Sequence, residues 1–284
     1  MLNKPKVSVL TPIYNTNPTH LKQMIESILN QTFDDFEFLI LNDSPENKKI
    51  ENIVLKYAKQ DLRIKYIKNK HNMGITRSRN KLLKLSKGKY LAIFDHDDIS
   101  IPTRLEKEVD YLDNNPDVGV VSGWLEFFGE RTQIHKTPEN DTDIKIWLTE
   151  DCYIAHTAAM IRKSVLVNNN IEYEEYYSPA EDYRLWARLM DVTYFHNLQE
   201  VLVKYRWYKN NTTNKQLKKM LSAHDAIQLS ICDKHPFVRN ICKTPKYRGN
   251  TINIRLFNLF SILKIKNDRI YLFEFIPLFK IKRY

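Results

Sequence analysis

The 284-residue chain lacks most of what would place it in a membrane or in a disulfide scaffold. No run of 18 apolar residues occurs, so no membrane-spanning helix is expected. Met1-Leu-Asn-Lys-Pro-Lys6 leads straight into a strand pattern, so no signal peptide is expected. Cysteine is scarce. Cys152, Cys232 and Cys242 have neither CxxC nor metal-ligand spacing, a usage that predicts reduced thiols in a cytosolic protein. There is no internal repeat and no low-complexity linker. What is present, 43% hydrophobic and 27% charged residues, suits a folded chain long enough for one large domain with an appendage, or for two small domains.

The net charge of +10 is uneven. Lys243 to Tyr284 holds ten Lys/Arg against two acids, Asp268 and Glu274, which is +8; the first 242 residues carry the remaining +2. The body is near neutral, so the question of an acidic partner belongs to the tail.

One stretch stands out. Tyr90-Leu-Ala-Ile-Phe94 reads as a buried strand, and Asp95-His96-Asp97-Asp98 follows at once. A strand buries apolar side chains but not three unpaired anions. The acid cluster therefore faces water, a cation, or both. In open α/β sheets the crevice beyond the carboxyl ends of the strands is where ligands bind. A hard divalent cation carrying a substrate phosphate suits such a cluster, and a solvated turn ahead of the next helix suits it too.

Around that stretch the chain alternates. Strands are predicted at Lys6–Pro12, Glu37–Leu41, Arg63–Ile67 and Tyr90–Phe94, each followed by a helical pattern. The helices start at Pro18, after Asn42-Asp43-Ser44-Pro45, at Thr76 and at Pro102. Gly74 permits a tight turn, and Lys87-Gly88 is expected to close a helix in the left-handed conformation. This order predicts a largely parallel α/β sheet with helices on both faces. After a strand at Val118–Trp124 the alternation weakens. Short elements are expected at Thr142–Leu148, Ala158–Arg162 and Ser164–Val167, with a helix at Glu181–Met190. Two strands, Thr193–His196 and Val201–Arg206, and a helix at Gln216–Cys232 complete the reading.

Four separated pieces then line up: Val7-Ser-Val-Leu-Thr-Pro-Ile-Tyr-Asn15, Asn42-Asp43-Ser44, Asn72-Met-Gly-Ile-Thr-Arg-Ser-Arg79-Asn80, and Gly88 to Asp98. Ala180-Glu181-Asp182-Tyr183 adds a fifth. Together, over about residues 6 to 207, they resemble the family-2 glycosyltransferases of the GT-A nucleotide-diphospho-sugar fold. The resemblance implies a catalytic domain over 1–215, with a nucleotide-sugar half to about residue 98 and an acceptor half beyond. Residues 216–284 form a C-terminal helix and basic tail.

The resemblance also implies roles. Asp43 would accept the N3–H of a uracil or thymine ring; a carboxylate only accepts, which disfavours cytosine. An Asx turn or helix cap is the plainer reading of Asp43. Pro12 and Tyr14 would lie along the nucleoside, with simple packing as the other reading of Tyr14; Arg79 would lie near base and ribose, with a surface ion pair as its other reading. Asp95 and Asp97 form a DxD unit in which Asp97 ligates Mn²⁺ or Mg²⁺ and Asp95 binds ribose or the metal's water shell. Asp98 is the natural cap of the following helix, and His96 is expected to turn away. Asp182 matches the inverting catalytic base, with Glu181 as its fallback; the plainer reading is that both favour the positive end of a helix. His156 would line the floor of the site. Tyr208 stands where the family sometimes has a metal-binding histidine.

The expected activity is metal-dependent, inverting transfer of one sugar from a UDP-sugar, or a dTDP-sugar, to a cell-surface glycan precursor. Lipopolysaccharide, lipooligosaccharide or capsule is the family-level expectation. A sugar-nucleotide pyrophosphorylase would need a glycine-rich loop where Pro12-Ile-Tyr-Asn-Thr-Asn-Pro18 stands. A non-catalytic binder would not need Asp95, Asp97 and Asp182 together. A processive synthase would need membrane spans and a fuller QxxRW motif than Arg206-Trp207.

In the tail, Ile252, Leu256, Leu259, Phe260 and Leu263 recur at helical spacing. Aromatics and cations interleave from Tyr271 to Arg283. That predicts a segment lying on the anionic inner face of the cytoplasmic membrane, with packing on the domain as the other reading. Nucleic acid is not expected as a partner, because the body has no matching basic motif.

Overall fold

Val7-Ser-Val-Leu-Thr-Pro-Ile13 forms β1 and is buried along its whole length. Such a strand must be covered on both faces, which requires helices on each side. The computed structural model describes residues 4–208, 216–235 and four strand segments, 251–256, 260–266, 269–272 and 276–280.

The first half is a regular alternation. α1 (Pro18–Leu29), β2 (Phe36–Asn42), α2 (Lys48–Gln60), β3 (Ile64–Lys68), α3 (Ile75–Leu85) and β4 (Tyr90–Ile93) follow β1 in order. β3, β2, β1 and β4 are neighbours and all parallel. Val7, Val9 and Ile13 pack in one cluster with Met24 and Ile28 of α1, Ile50 and Val54 of α2, and Leu105 and Val109. The alternate residues Leu10, Leu39 and Leu91 are buried outside that cluster, as the period of two requires. The parallel order puts the ends of β1, β2 and β4 on one edge, and Tyr14, Asp43 and Asp95 follow those ends.

Beyond β4 come β5 (Ile99–Ser100), α4 (Arg104–Asn114), β6 (Val118–Gly129), β7 (Gln133–His135) and α5 (Asp141–Leu148). β8 (Met160–Arg162), α6 (Lys163–Asn168), α7 (Glu181–Leu189) and β9 (Tyr194–Trp207) follow. β8 runs antiparallel between β4 and β6, β9 is parallel to β6, and β5 closes the order on β9.

The structure corrects several expectations. β9 is one strand, not two: its register on β6 slips between Leu198 and Val201, where Gln199 and Glu200 are passed over. Gly88 is not left-handed; among the described residues the positive-φ glycines are Gly74 and Gly129. A Cβ on Gly88 would lie 2.5 Å from the Ser8 nitrogen, so the residue is needed for close approach to β1. Ser8 Oγ and Glu37 Oε1 accept from the Gly88 and Lys87 amides there, at 2.8 and 2.6 Å. Cys152 is free as expected, but Cys232 is disulfide-bonded, so the reading of three reduced thiols fails.

The chain divides into two compact units, Met1–His224 and Asp225–Tyr284, and the division falls within α8 (Leu217–Lys234). The second unit contains β10 (Thr251–Leu256), β11 (Phe260–Lys266), β12 (Arg269–Leu272) and β13 (Ile276–Lys280), an antiparallel meander. This overturns the helical reading of the tail. Thr-Ile-Asn-Ile-Arg-Leu256 alternates with a period of two, and its register sets Ile252 opposite Ile265 and Ile254 opposite Leu263. Leu259 and residues 281–284 lie outside the described residues. Among the described residues, no helix is long and apolar enough to cross a membrane.

Candidate active site

Asp43 follows β2 and is 3% exposed. Its Oδ1 accepts from Asn69 Nδ2 at 2.7 Å and the Met73 amide at 2.8 Å, and its Oδ2 from the Gly74 amide at 2.9 Å. Gly74, extended at φ +84° and ψ 163° where only glycine sits without strain, lets two successive amides aim at one carboxylate. Asp43 thus organises the loop ahead of α3, and Oδ2 keeps acceptor capacity for one more donor. Pro12 is buried in β1, and Tyr14 just beyond it is 53% exposed. Asn15, at φ +45°, donates its amide to Ser44 Oγ at 3.1 Å, which joins the two loops.

Arg79 is held by two carboxylates. Its Nη1 donates to Glu181 Oε1 at 2.6 Å and its Nη2 to Asp95 Oδ1 at 3.3 Å. Burial works against its charge, but Glu181 and Asp95 outweigh that and hold the guanidinium firmly protonated. The bridge joins the end of β4 to the first turn of α7.

The acid cluster is held from behind. The Asp95 amide donates to Thr157 Oγ1 at 3.1 Å. Asp98 is not a helix cap; Thr103 precedes α4 instead. Asp98 is 1% exposed and accepts from Thr157 Oγ1 at 2.9 Å and the Arg206 amide at 2.8 Å. Burial, then the charges of Asp97 and Asp95, push its carboxyl well above the usual range. The end of β9 clasps the same turn: Arg206 Nε donates to the Asp97 carbonyl at 2.8 Å, and Tyr208 Oη to Asp97 Oδ2 at 2.8 Å. His96 does not turn wholly away; its Nδ1 is buried 3.8 Å from Asp97 Oδ1.

Asp95 and Asp97 keep 28% and 17% side-chain exposure. Arg79 takes one oxygen of Asp95 and Tyr208 one of Asp97, leaving the other oxygen of each to a cation. Among the described residues, no group of three His, Cys, Asp or Glu side chains converges as a ready-made metal site. Two hard oxygen donors fit a divalent ion whose remaining shell comes from a diphosphate and water.

Asp182 is half-buried at the start of α7, and its Oδ1 accepts from the adjacent Tyr183 amide at 2.7 Å. Burial, then the charge of Glu181, with Arg79 opposing, push its carboxyl up to about 6. Glu181 is 3% exposed, and its Oε1 is tied to Arg79. His156, 7% exposed, shares a 2.9 Å hydrogen bond between Nε2 and Tyr173 Oη. Burial, then Arg79 and Arg104, hold its imidazole well below its ordinary range, so it is neutral at pH 7. The structure therefore brings Arg79, Asp95, Glu181 and His156 into one connected network beside Asp182. Asp43 and Tyr14 sit at the far end of α3 and the β1 loop. Asn69 and Tyr173 are connecting residues that sequence reasoning did not single out, and Arg206, noted there only as a motif remnant, is a third; each acts across a gap in sequence that no local pattern marks.

With that geometry in place, comparison with known proteins is decisive. The profile of Glycosyl transferase family 2 matches residues 8–168, more than half of the chain. The chain belongs to glycosyltransferase family 2. It is 36% identical over 246 residues to MJ1057 of Methanocaldococcus jannaschii, an uncharacterized glycosyltransferase, covering 84% of each chain. It is 27% identical over 203 residues to the amylovoran biosynthesis glycosyltransferase AmsE of Erwinia amylovora, covering 70% of this chain and 75% of AmsE. Among solved structures it resembles S. aureus TarS 1–349 in complex with UDP-GlcNAc, with a TM-score of 0.66 at 17% identity, covering 80% of this chain and 67% of that one. It also resembles the mannosyltransferase PcManGT of Pyrobaculum calidifontis in complex with GDP-Man and Mn²⁺, with a TM-score of 0.61 at 15% identity, covering 81% and 65%. At those identities the structural likeness establishes the GT-A fold. The chain is thus an α/β glycosyltransferase.

Proposed function

We propose that the enzyme transfers a single sugar, with inversion, from a UDP-sugar to a hydroxyl of a glycan precursor, using Asp182 as base. The observation that carries this reading is the half-buried Asp182, pushed up to about 6, beside an Asp95–Arg79–Glu181 bridge. A base poised near neutrality both stays ionised and accepts a proton. Displacement from the face opposite the diphosphate needs such a carboxylate on the acceptor side, and no covalent intermediate.

Asp43 selects the base in this account. Its remaining acceptor capacity on Oδ2 suits the N3–H of uracil, and dTDP-sugars share that edge. Pro12 and Tyr14 border the nucleoside. Asp97 and Asp95 would hold Mn²⁺ or Mg²⁺, which would offset charge on the departing diphosphate. PcManGT was solved with Mn²⁺, and TarS with UDP-GlcNAc, which supports both parts. AmsE acts in amylovoran biosynthesis, which supports a cell-surface glycan as product, of the lipopolysaccharide or capsule kind. A lipid-linked acceptor would bring the enzyme to the inner face of the cytoplasmic membrane. The +8 of residues 243–284 would favour an anionic surface whatever its secondary structure. Co-sedimentation with anionic vesicles that weakens as salt rises is the expected behaviour; equal binding to neutral vesicles would remove this part.

The donor is tested by nucleotide release from UDP-Glc, UDP-Gal, their N-acetyl forms, dTDP-rhamnose and GDP-Man. Turnover with a UDP- or dTDP-sugar is expected. Turnover with GDP-Man alone would overturn the Asp43 assignment.

A further inference from the structure

Asn69 stands one residue past the end of β3 and is 1% exposed. Its backbone amide donates to the Asn42 carbonyl at 3.0 Å, which carries the β2–β3 pairing one step further and fixes where the side chain starts. The side chain is then held at both ends. Its Oδ1 accepts from Lys81 Nζ at 2.7 Å, and its Nδ2 donates to Asp43 Oδ1 at 2.7 Å and to Ser78 Oγ at 3.2 Å. An ammonium only donates and a carboxylate only accepts, so the two charged groups independently fix the same orientation of the amide. Ser78 and Lys81 are three residues apart on α3, hence on one face of that helix, and Ser78 is fully buried.

The clamp decides how much of Asp43 stays open. Each oxygen of a carboxylate has two lone pairs. Oδ1 already accepts twice, from Asn69 Nδ2 and the Met73 amide, whereas among the described residues Oδ2 accepts once, from the Gly74 amide. Asp43 therefore offers one acceptor position on one oxygen. It does not offer the two parallel positions that a two-donor group takes from a free carboxylate.

Nucleobases divide on that point. Uracil and thymine present one donor, N3–H, between two carbonyl oxygens. Guanine presents two adjacent donors, N1–H and the 2-amino group, which match both oxygens of one carboxylate. With Oδ1 filled, guanine could satisfy one donor and would bury the other unpaired, which is a penalty and not only a missed contact.

We propose that Asn69, held by Lys81, is a specificity-determining residue: it fills Asp43 Oδ1, so that the site takes a base with a single donor and rejects guanine. This inference rests on the reading of Asp43 as the base acceptor given above. It adds the reason why that acceptor excludes a class of sugar nucleotide that an unclamped carboxylate would admit.

The test is calorimetric titration of the full chain with UDP, GDP and IDP in the presence of Mg²⁺. Hypoxanthine, the base of IDP, is a purine that has N1–H but no 2-amino group, so it separates purine size from the second donor. The unaltered protein is expected to prefer UDP to GDP by about tenfold or more. Asn69→Ala should raise GDP affinity by about fivefold or more and leave IDP affinity within about twofold, because only guanine brings the second donor. Lys81→Met leaves the Asn69 carbonyl without its donor and should shift the GDP-to-IDP ratio in the same direction, which keeps the question answerable should Asn69→Ala not fold. A loop that is merely loosened weakens all three nucleotides together and leaves that ratio unchanged. An unchanged ratio in the variants, or equal gains for GDP and IDP, would overturn the role of Asn69. GDP bound as tightly as UDP by the unaltered protein is a different result, and it would fail the reading of Asp43 itself.

Discussion

Arg79 Nη1 donates to Glu181 Oε1 at 2.6 Å, joining two residues 102 positions apart. Their side chains are 12% and 4% exposed, so this is a buried pair, and its second arm reaches Asp95. It ties α3 and the end of β4 to the first turn of the helix that carries Asp182.

Removing one partner of such a pair leaves an uncompensated buried charge. Arg79→Ala should cost about 3–5 kcal/mol of stability, read as a lower urea midpoint at unchanged slope. Arg79→Met with Glu181→Leu should recover most of that loss while leaving turnover abolished. Recovery of turnover by the double variant would mean that the bridge does not position the site.

Gly88 and Gly74 should fail differently when changed to alanine. At Gly88 the new Cβ meets the β1 backbone at 2.5 Å, so a shift of the sheet and about 1–3 kcal/mol of destabilisation are expected. At Gly74 there is open space, but at φ +84° and ψ 163° the backbone is in a region essentially confined to glycine, so about 1–3 kcal/mol of backbone strain is expected. That strain falls on the amide that holds Asp43, so Gly74→Ala should also weaken UDP binding, while Gly88→Ala should not at temperatures where it is folded. Calorimetric titration with UDP beside urea unfolding separates the two.

The pH profile follows from Asp182. The active base is the carboxylate, so kcat/KM should rise with pH, with a midpoint near 6, and then level off. Stability should move the other way. A folded-state value above the unfolded one means that the folded protein binds more protons between about pH 4 and pH 6, so this group's contribution is present at low pH and lost as pH rises through about 6. Asp182→Asn should remove that segment of the stability profile, measured by urea midpoints from pH 4 to pH 7.

Removal of divalent ions should stop transfer. EDTA is expected to abolish nucleotide release, with Mn²⁺ or Mg²⁺ restoring it, and Asp97→Ala should not be restored at millimolar metal. Full activity in EDTA-treated, metal-free protein would exclude the role given to Asp95 and Asp97.

Much of the fold was legible because its period is local. Val7–Ile13, Phe36–Asn42 and Tyr90–Ile93 are apolar runs bounded by turn residues, and the helices between them carry clean apolar faces. The order of the motifs pointed to the family and to Asp43, Asp95, Asp97 and Asp182. What sequence could not show was partnership over distance. Asp98 looked like a cap because it precedes a helix, yet Thr157 and Arg206 claim it from 59 and 108 residues away. The ion-pair partners of Arg79, Glu181 and Asp95, lie 102 and 16 residues away, and no local pattern marks them. In the tail, Ile252 and Leu256 satisfy both a helical and an alternating pattern, and only cross-strand pairing decides for the strand.

The central claim is that Asp182 acts on the acceptor hydroxyl and not on donor binding. The direct measurement is Asp182→Asn, with UDP affinity by calorimetry and transfer rate under saturating donor. The account predicts affinity within a few-fold of the unaltered enzyme and a rate lower by about 10²–10⁴-fold. An unchanged rate in Asp182→Asn, with loss of activity in Glu181→Gln at intact fold and intact UDP affinity, would contradict it.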